Sequence, residues 1–299
     1  MTKRFISANS SEILEMTASE LKQSIRASEG RIVMSENVVT REPFIEDITN
    51  AEIARAFGAD LILLNGIDVL NPKVSGLDES EESFVDQLHK LVGRPIGVNL
   101  EPVDQDASMA EDRLTIAQGR QANLETINKI EALGLNFVCL TGNPGTGVTN
   151  AQIEKTIRIT RERFSGLIIA GKMHGAGVSE SIVDSDTVKS FIEAGADIIL
   201  VPAVGTVPGF DEKDLKEIVQ LVHNEGALVL SAIGTSQESS DEDTIKQIAI
   251  ANKICGVDIQ HIGDAGYAGL APVENIFALS KAIRGMRHTA SMIARSIQR

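Results

Sequence analysis

A (β/α)8 barrel is the fold class this sequence predicts, and three observations carry the prediction. Short apolar runs alternate with helix-period segments from residue 31 onward without interruption. Eight such runs occur, each followed by a helical pattern, which is the count a closed parallel barrel requires. The same glycine-containing joint also recurs between helix and strand, at Gly58-Ala-Asp60, Gly134-Leu-Asn136, Gly195-Ala-Asp197 and Gly256-Val-Asp258. Glycine there can take the left-handed cap conformation that ends a helix, so the next residues turn into the sheet.

Taken in order, residues 10–28 read as an extra N-terminal helix, with Thr17, Ala18, Ser19 and Glu20 as a capping box inside it. Strand candidates follow at 31–39, 60–68, 95–102, 136–143, 167–174, 197–205, 227–235 and 258–264. Helix-period segments lie at about 48–58, 80–92, 110–133, 150–165, 184–194, 211–225 and 241–255, and an extended C-terminal helix runs from 273 to about 297. A doubly wound open sheet uses the same joints and is the competing fold. It is weakened because no G-x-G-x-x-G follows the first strand. With no low-complexity linker, residues 1–299 are assigned to one domain: an N-terminal helical segment (1–30), a barrel (31–272) and a C-terminal helix (273–299).

The 299 residues suit one barrel, which typically takes about 250. A net charge of −14 argues against nucleic acid or an anionic membrane surface as partner, since both demand a basic face. Cys139 and Cys255 lack metal-like spacing and read as reduced core thiols, which suits a cytoplasmic protein. No apolar run reaches membrane-spanning length, and Met1–Phe5 leads into polar sequence without a signal-type apolar stretch.

In such barrels the working residues stand at strand carboxyl ends. Those ends carry Glu36, Asn65, Asn99, Glu101, Thr141, Asn143, Lys172, His174, Thr235, Ser236, His261 and Asp264. Strand alternation groups Asn99 and Glu101 with Gly97, Thr141 and Asn143 with Cys139, and Lys172 and His174 with Ala170. Small residues beneath large polar ones suggest that all three groups point inward. The phase of the first and eighth strands stays open. Lys172 is a candidate Schiff-base former or a paired cation, and His174 a candidate proton shuttle or a structural histidine. Glu36, Glu101 and Asp264 are candidate oxygen ligands for a divalent metal such as magnesium, or else salt-bridge partners.

Two glycine-rich loops are candidate anion cradles. One runs from Thr141 through Gly145 and Gly147 into a helix; the other combines Thr235 and Ser236 with Gly263, Asp264 and Gly266. With Asn65, Asn99 and Asn143 beside them, they point to a small anionic substrate in a local patch of positive potential. The segment 103–118, with Asp104, Asp106, Glu111, Asp112 and Arg113, is a candidate lid or a solvated helix start. The last helix sets Arg284, Arg287, His288, Arg295 and Arg299 beside Met286, Met292 and Ile293, a pattern that suits an exposed helix serving a homo-oligomer.

The phrases Ser35-Glu-Asn-Val-Val39, Asp60-Leu-Ile-Leu-Leu-Asn-Gly66, Thr141-Gly-Asn-Pro-Gly-Thr-Gly147 and Gly171-Lys-Met-His-Gly175 together resemble an uncharacterised family of bacterial barrel proteins, along essentially the whole chain. Some members are loosely labelled phosphoenolpyruvate-phosphonomutase-like or haloacid-dehalogenase-like. The resemblance implies a TIM-type barrel and transfers no catalytic residue. The acidic metal cluster and cysteine loop of true phosphonomutases have no counterpart here, and no D-x-D follows the first strand. The functional expectation is a lyase, aldolase or isomerase acting on a small phosphorylated or carboxylated carbonyl metabolite of carbohydrate metabolism. A metal-dependent hydrolase and a non-catalytic sugar-phosphate sensor are the alternatives.

Overall fold

The computed structural model describes residues 2–109 and 112–299. Its strands are β1 (Ile32–Val38), β2 (Leu61–Asn65), β3 (Ile96–Leu100), β4 (Phe137–Leu140), β5 (Leu167–Gly171), β6 (Ile198–Pro202), β7 (Leu228–Ile233) and β8 (Ile259–Ile262). They pair in chain order, all parallel, and β8 closes on β1 with Ile32 beside Ile259 and Met34 beside His261. The predicted (β/α)8 barrel is therefore the fold.

The helices are α1 (Ser10–Leu14), α2 (Ala18–Arg26), α3 (Asn50–Ala56), α4 (Phe84–Val92), α5 (Leu124–Ala132), α6 (Asn150–Arg163), α7 (Ser185–Ala194), α8 (Glu212–Asn224), α9 (Glu242–Cys255) and α10 (Val273–Ala294). Three expectations are corrected. The N-terminal helix is two helices, because the Thr17/Glu20 capping box opens α2 instead of sitting inside a longer run. The helix expected from 110 begins only at Leu124, where Asn123 caps it and Thr126 returns a hydrogen bond. The chain before it, 112–123, is irregular except for one 3-10 turn, and Glu111 of the candidate lid lies outside the described residues. The last helix is interrupted at Gly285 (φ 69°, ψ 165°), and its expected exposed face is only partly exposed: Met286 and Arg287 are, Arg284 and Met292 are not. Its Arg284 is buried against Asp60 and Met292 is buried in the core.

Two apolar clusters divide the molecule. Val33, Ile62, Val98, Val138, Ile168, Ala170, Ile199, Val229 and Ile262 face the surrounding helices. Ile32, Met34, Leu61, Leu63, Phe137, Cys139, Leu167, Ile169, Ile198, Leu200, Leu228, Leu230 and Ile259 fill the barrel. Gly97 makes room in that interior, since a Cβ there would stand 2.2 Å from the Phe137 ring. Phe5, Ile6, Ile13, Leu21 and Ile25 from the N-terminal segment and Met292 join the same interior cluster and plug the barrel floor.

The recurring joint has a second use at the strand amino ends. The four glycines have φ of 116°, 71°, 115° and 97°. The side chains of Asp60, Asn136, Asp197 and Asp258 then accept from the backbone N–H of Val33, Ile96, Ile168 and Val229, at 2.9–3.1 Å. Each thus clamps an even-numbered strand to the strand before it. Each also meets a basic or imidazole partner: Arg284, His89, Arg161 with Lys22, and His223.

Candidate active site

Because strand side chains alternate, the barrel interior fixes what can reach the mouth. On β1, Glu36 continues the inward set of Ile32 and Met34; on β2, Asn65 follows Leu61 and Leu63. Asn99 and Glu101 follow Gly97 inward, and Thr141 and Asn143 follow Phe137 and Cys139, as the alternation predicts. A cavity of about 460 Å³ opens there, within the size range of small-molecule sites. Glu36, Asn65, Asn99, Asn143, Gly145, His174, Thr235, Ser236, Gly263 and Asp264 line it, together with Thr141, Met173 and Glu238. Glu101, Gly147, Lys172 and Gly266 are not among its lining residues.

Lys172 is the main correction. Leu167 and Ile169 are the inward residues of β5 and Ala170 faces the helices, so alternation counted from Ala170 does not turn Lys172 inward. Lys172 is 1% exposed and its Nζ donates to Glu180 Oε1 at 2.9 Å. Burial pushes its ammonium pKa down while Glu180 opposes the shift. The inward position goes to Met173, whose sulfur would stand 2.7 Å from a Cβ at Gly234. Lys172 is not among the cavity's lining residues, and its amine is engaged by Glu180. A small Ala170 suggests open space above it at the mouth, but Ala170 packs beneath the helices, so the alternation it sets runs the other way.

His174 escapes that parity because the chain leaves the strand at Gly171 (φ 151°). Its Nδ1 accepts from the Ala176 N–H at 3.0 Å, so the neutral ring carries its proton on Nε2. Burial lowers its pKa, Glu36 and Glu101 oppose this, and Lys172 adds to it. His174 is therefore a neutral donor at the cavity.

A connected polar network spans the opening. Asn65 Nδ2 donates to Asn143 Oδ1 at 3.1 Å and to Asp264 Oδ2 at 2.9 Å. Asn65 Oδ1 accepts from Asn99 and Asn143. Behind Asn143, Glu101 is 1% exposed and accepts from Arg120, from the Asn143 amide and from the Asn143 N–H. Beneath the mouth, His261 Nε2 and Glu36 Oε2 stand 2.8 Å apart across the β1–β8 seam, which settles the phase of both strands as inward. Asp264 has its pKa pushed up to about 7, chiefly by burial and then by Glu36; the Asn65 hydrogen bond and His261 oppose this, and Glu238 contributes.

Sequence reasoning missed Glu238. It lies in a 3-10 turn (Gln237–Ser239) after β7, where neither strand nor helix periodicity says which way a side chain points. It is 2% exposed, and Oε1 accepts from the Ala265 N–H at 3.0 Å. A Cβ on Gly263 would lie 2.9 Å from that oxygen, so the glycine vacates the inward position on β8 that the carboxylate needs. The only available signal was the pairing of a glycine in strand phase with an acid in the neighbouring loop.

Part of each expected anion cradle is occupied from within, while Gly145, Thr235, Ser236, Gly263 and Asp264 still line the cavity. The α6 N-terminus, reached by the Gly145–Gly147 loop, offers its Asn150 N–H to Glu180 at 3.1 and 3.2 Å and its Gln152 N–H to Thr149. In the loop after β8, Ala265 N–H is taken by Glu238, and a Cβ at Gly266 would stand 2.0 Å from the Leu270 carbonyl oxygen, away from the cavity. Among the described residues the lining carries the acidic side chains Glu36, Glu238 and Asp264 and no lysine or arginine, which does not match the expected positive patch.

The expected magnesium ligands do not gather. Among the described residues no group of three or more His, Cys, Asp or Glu side chains could hold a metal ion. Glu36 turns to His261, Glu101 to Arg120 and Asn143, and Asp264 to Asn65. These residues do not fit the proposed centre, and the hydrolase alternative loses its basis in them. The candidate lid joins Val103 to Val148 and Met109 to Val178 by isolated bridges. Leu114 N–H donates to the Gly145 carbonyl, and Met109 and Arg113 lie against the space beside Gly147. The segment thus packs on the loops that follow β4 and β5 at the rim. Among the described residues, no helix is long and apolar enough to cross a membrane.

Comparison with known proteins adds three kinds of finding. A family model described as "Domain of unknown function (DUF7916)" matches residues 6–299. No curated protein matches the chain. The crystal structure of 2,3-dimethylmalate lyase, described as a PEP mutase/isocitrate lyase superfamily member, superimposes with a TM-score of 0.50 at 12% identity, over 83% of this chain and 81% of that one. Oxaloacetate acetylhydrolase gives 0.49 at 13% identity, over 82% of this chain and 80% of its own. Thiamine phosphate pyrophosphorylase from Pyrococcus furiosus gives 0.46 at 14%, over 86% and 97%.

Proposed function

We propose that this chain, which belongs to the DUF7916 family, is an enzyme of the lyase or isomerase type that moves a proton on a small hydroxylated carbonyl compound. Asp264 is the proton-transferring group. The observation that carries this reading is its setting: a carboxyl at the barrel mouth, held by Asn65 in a three-asparagine network and pushed up to about 7. A group poised near neutrality exists in both forms at working pH, which is what general acid–base chemistry requires.

The steps balance without a cofactor. Asp264 as carboxylate takes a proton from a carbon beside the carbonyl, or from a β-hydroxyl whose deprotonation forms a new C=O and breaks the adjacent carbon–carbon bond. The electron pair moves onto the carbonyl oxygen, where the Nε2–H of neutral His174 can donate to the developing oxyanion. Protonated Asp264 then returns the proton to carbon, giving an isomer or releasing the cleaved enol fragment as its keto form. The phosphorylated or carboxylated substrate first expected fits this lining less well, because among the described residues it carries three acidic side chains and no lysine or arginine. Barrels of this kind house many chemistries, so the fold likeness to a lyase supports the class by analogy only.

The test is exchange in D2O. Small hydroxy-ketones and hydroxy-aldehydes are incubated with the protein and followed by proton NMR for loss of carbon-bound hydrogen or for cleavage products. Turnover should fall at least about a hundredfold in Asp264→Asn, the usual weight of a general acid–base group, and survive Lys172→Met. Full activity in Asp264→Asn, or its abolition in a folded Lys172→Met, would defeat the proposal.

A further inference from the structure

The cavity holds more hydrogen-bond acceptors than its own donors satisfy. Asn99 Oδ1 and Glu238 Oε2 are buried without a partner among the described residues, on side chains 4% and 2% exposed. Both residues line the opening. Buried acceptors left alone cost free energy, so a donor arriving with a ligand is favoured there. The same wall carries Glu36, Glu238 and Asp264 and, among the described residues, no lysine or arginine, and His174 contributes a neutral ring. Polyol hydroxyls could satisfy the acceptors but would leave the Glu238 carboxylate without a cation beside it. An ammonium group answers both needs.

We infer that the cavity is built for a small ligand carrying a protonated amine on a hydroxylated carbon chain, with the ammonium held at Glu238. The carboxylate is well prepared for this role. Its Oε1 is anchored by the Ala265 N–H, and the missing side chain at Gly263 gives the carboxylate room beside the opening. The asparagines of β2, β3 and β4 supply amide donors and acceptors for the hydroxyls. Glu36 and Glu238 both raise the pKa of Asp264, which is a further sign of unbalanced negative charge at the mouth. This assignment of substrate charge rests on the reading of the mouth as the catalytic site.

Calorimetric titration with a matched series tests it: D-glucamine, D-sorbitol, N-acetyl-D-glucamine and D-sorbitol 6-phosphate. D-glucamine should bind about tenfold or more tighter than sorbitol, as one charge-assisted contact provides. N-acetyl-D-glucamine, which keeps the chain and loses the charge, should bind no better than sorbitol, and the 6-phosphate should bind worst. Glu238→Gln should remove the preference for D-glucamine. Equal binding of D-glucamine and sorbitol, no binding of D-glucamine, tighter binding of the phosphate, or a preference that persists in Glu238→Gln would overturn the inference. The N-acetyl arm reads the charge without any variant having to fold. If the preference is missing while Asp264-dependent exchange in D2O remains, the substrate charge is wrong and the proton chemistry stands. If the preference is found and exchange is independent of Asp264, the reverse holds.

Discussion

Asp264 shows how far one residue's setting departs from its letter in the sequence. An aspartate in a glycine-rich loop is ordinarily ionised with a pKa near 4. Here burial beside Glu36 pushes it up to about 7, so the folded state favours the protonated form. That contribution to stability is complete below about pH 4 and is lost as the pH climbs through 7. Asp264→Asn, which cannot ionise, is accordingly expected to be more stable than the parent above pH 7 by on the order of 1–3 kcal/mol, and no more stable near pH 4. Denaturant melts at the two pH values measure this, and a stability difference that does not depend on pH would refute it. Lys172 teaches the opposite lesson. Lysine and histidine two apart promised a basic pair, yet the lysine is spent on Glu180 and its neighbour Met173 takes the inward place. The two cysteines behave as their spacing suggested: both are free, both are buried, and burial pushes the Cys139 thiol well above its usual range.

At the scale of elements, the recurring joint was legible because it has one physical task, ending a helix and starting a strand. The structure adds that its acid or amide clamps the preceding strand, and that its surroundings differ from repeat to repeat. Asp60 and Arg284 are both 0% exposed, whereas Asp197 is 17% exposed and shared between Arg161 and Lys22. Breaking a buried pair strands a charge without water, at about 3–5 kcal/mol, while a partly solvated pair is worth about 1 kcal/mol or less. Asp60→Asn is therefore expected to destabilise far more than Asp197→Asn by urea unfolding, and equal losses would show that burial does not set the ranking. The same scale explains the two boundary errors. Capping residues mark helix starts more reliably than hydrophobic period does, as Thr17 before α2 and Asn123 before α5 demonstrate.

For the molecule as a whole, the N-terminal segment is part of the barrel core. Phe5 is 0% exposed and packs with the inward residues of the strands, alongside Ile6, Ile13 and Ile25. Phe5→Ala is expected to cost about 3–5 kcal/mol in thermal or urea unfolding, as for a fully buried aromatic. A loss below about 1 kcal/mol would mean that the plug is dispensable. The basic residues near the C-terminus belong to the same closure. Arg284 holds Asp60 and the Gly58 carbonyl, Arg295 reaches Asn9, and Arg94 donates to the Met292 carbonyl. A strongly acidic chain thus keeps several of its cations on the barrel floor, far from the mouth, where the carboxylates stand.

By itself the sequence determined the order of elements, the eight-strand count and the pooling of polar residues at the strand carboxyl ends. Each of these is written in local periodicity and in residues such as glycine whose backbone freedom acts at their own position. Which way Lys172 faces, which carboxylates occupy part of the glycine-rich loops, and that Glu238 reaches the cavity were decided only by the tertiary structure. Those outcomes depend on strand phase after the chain leaves the sheet and on contacts such as Lys172–Glu180 and Glu238–Ala265, made between separate loops. No local pattern encodes such contacts, because charge and packing balance only once the barrel has closed.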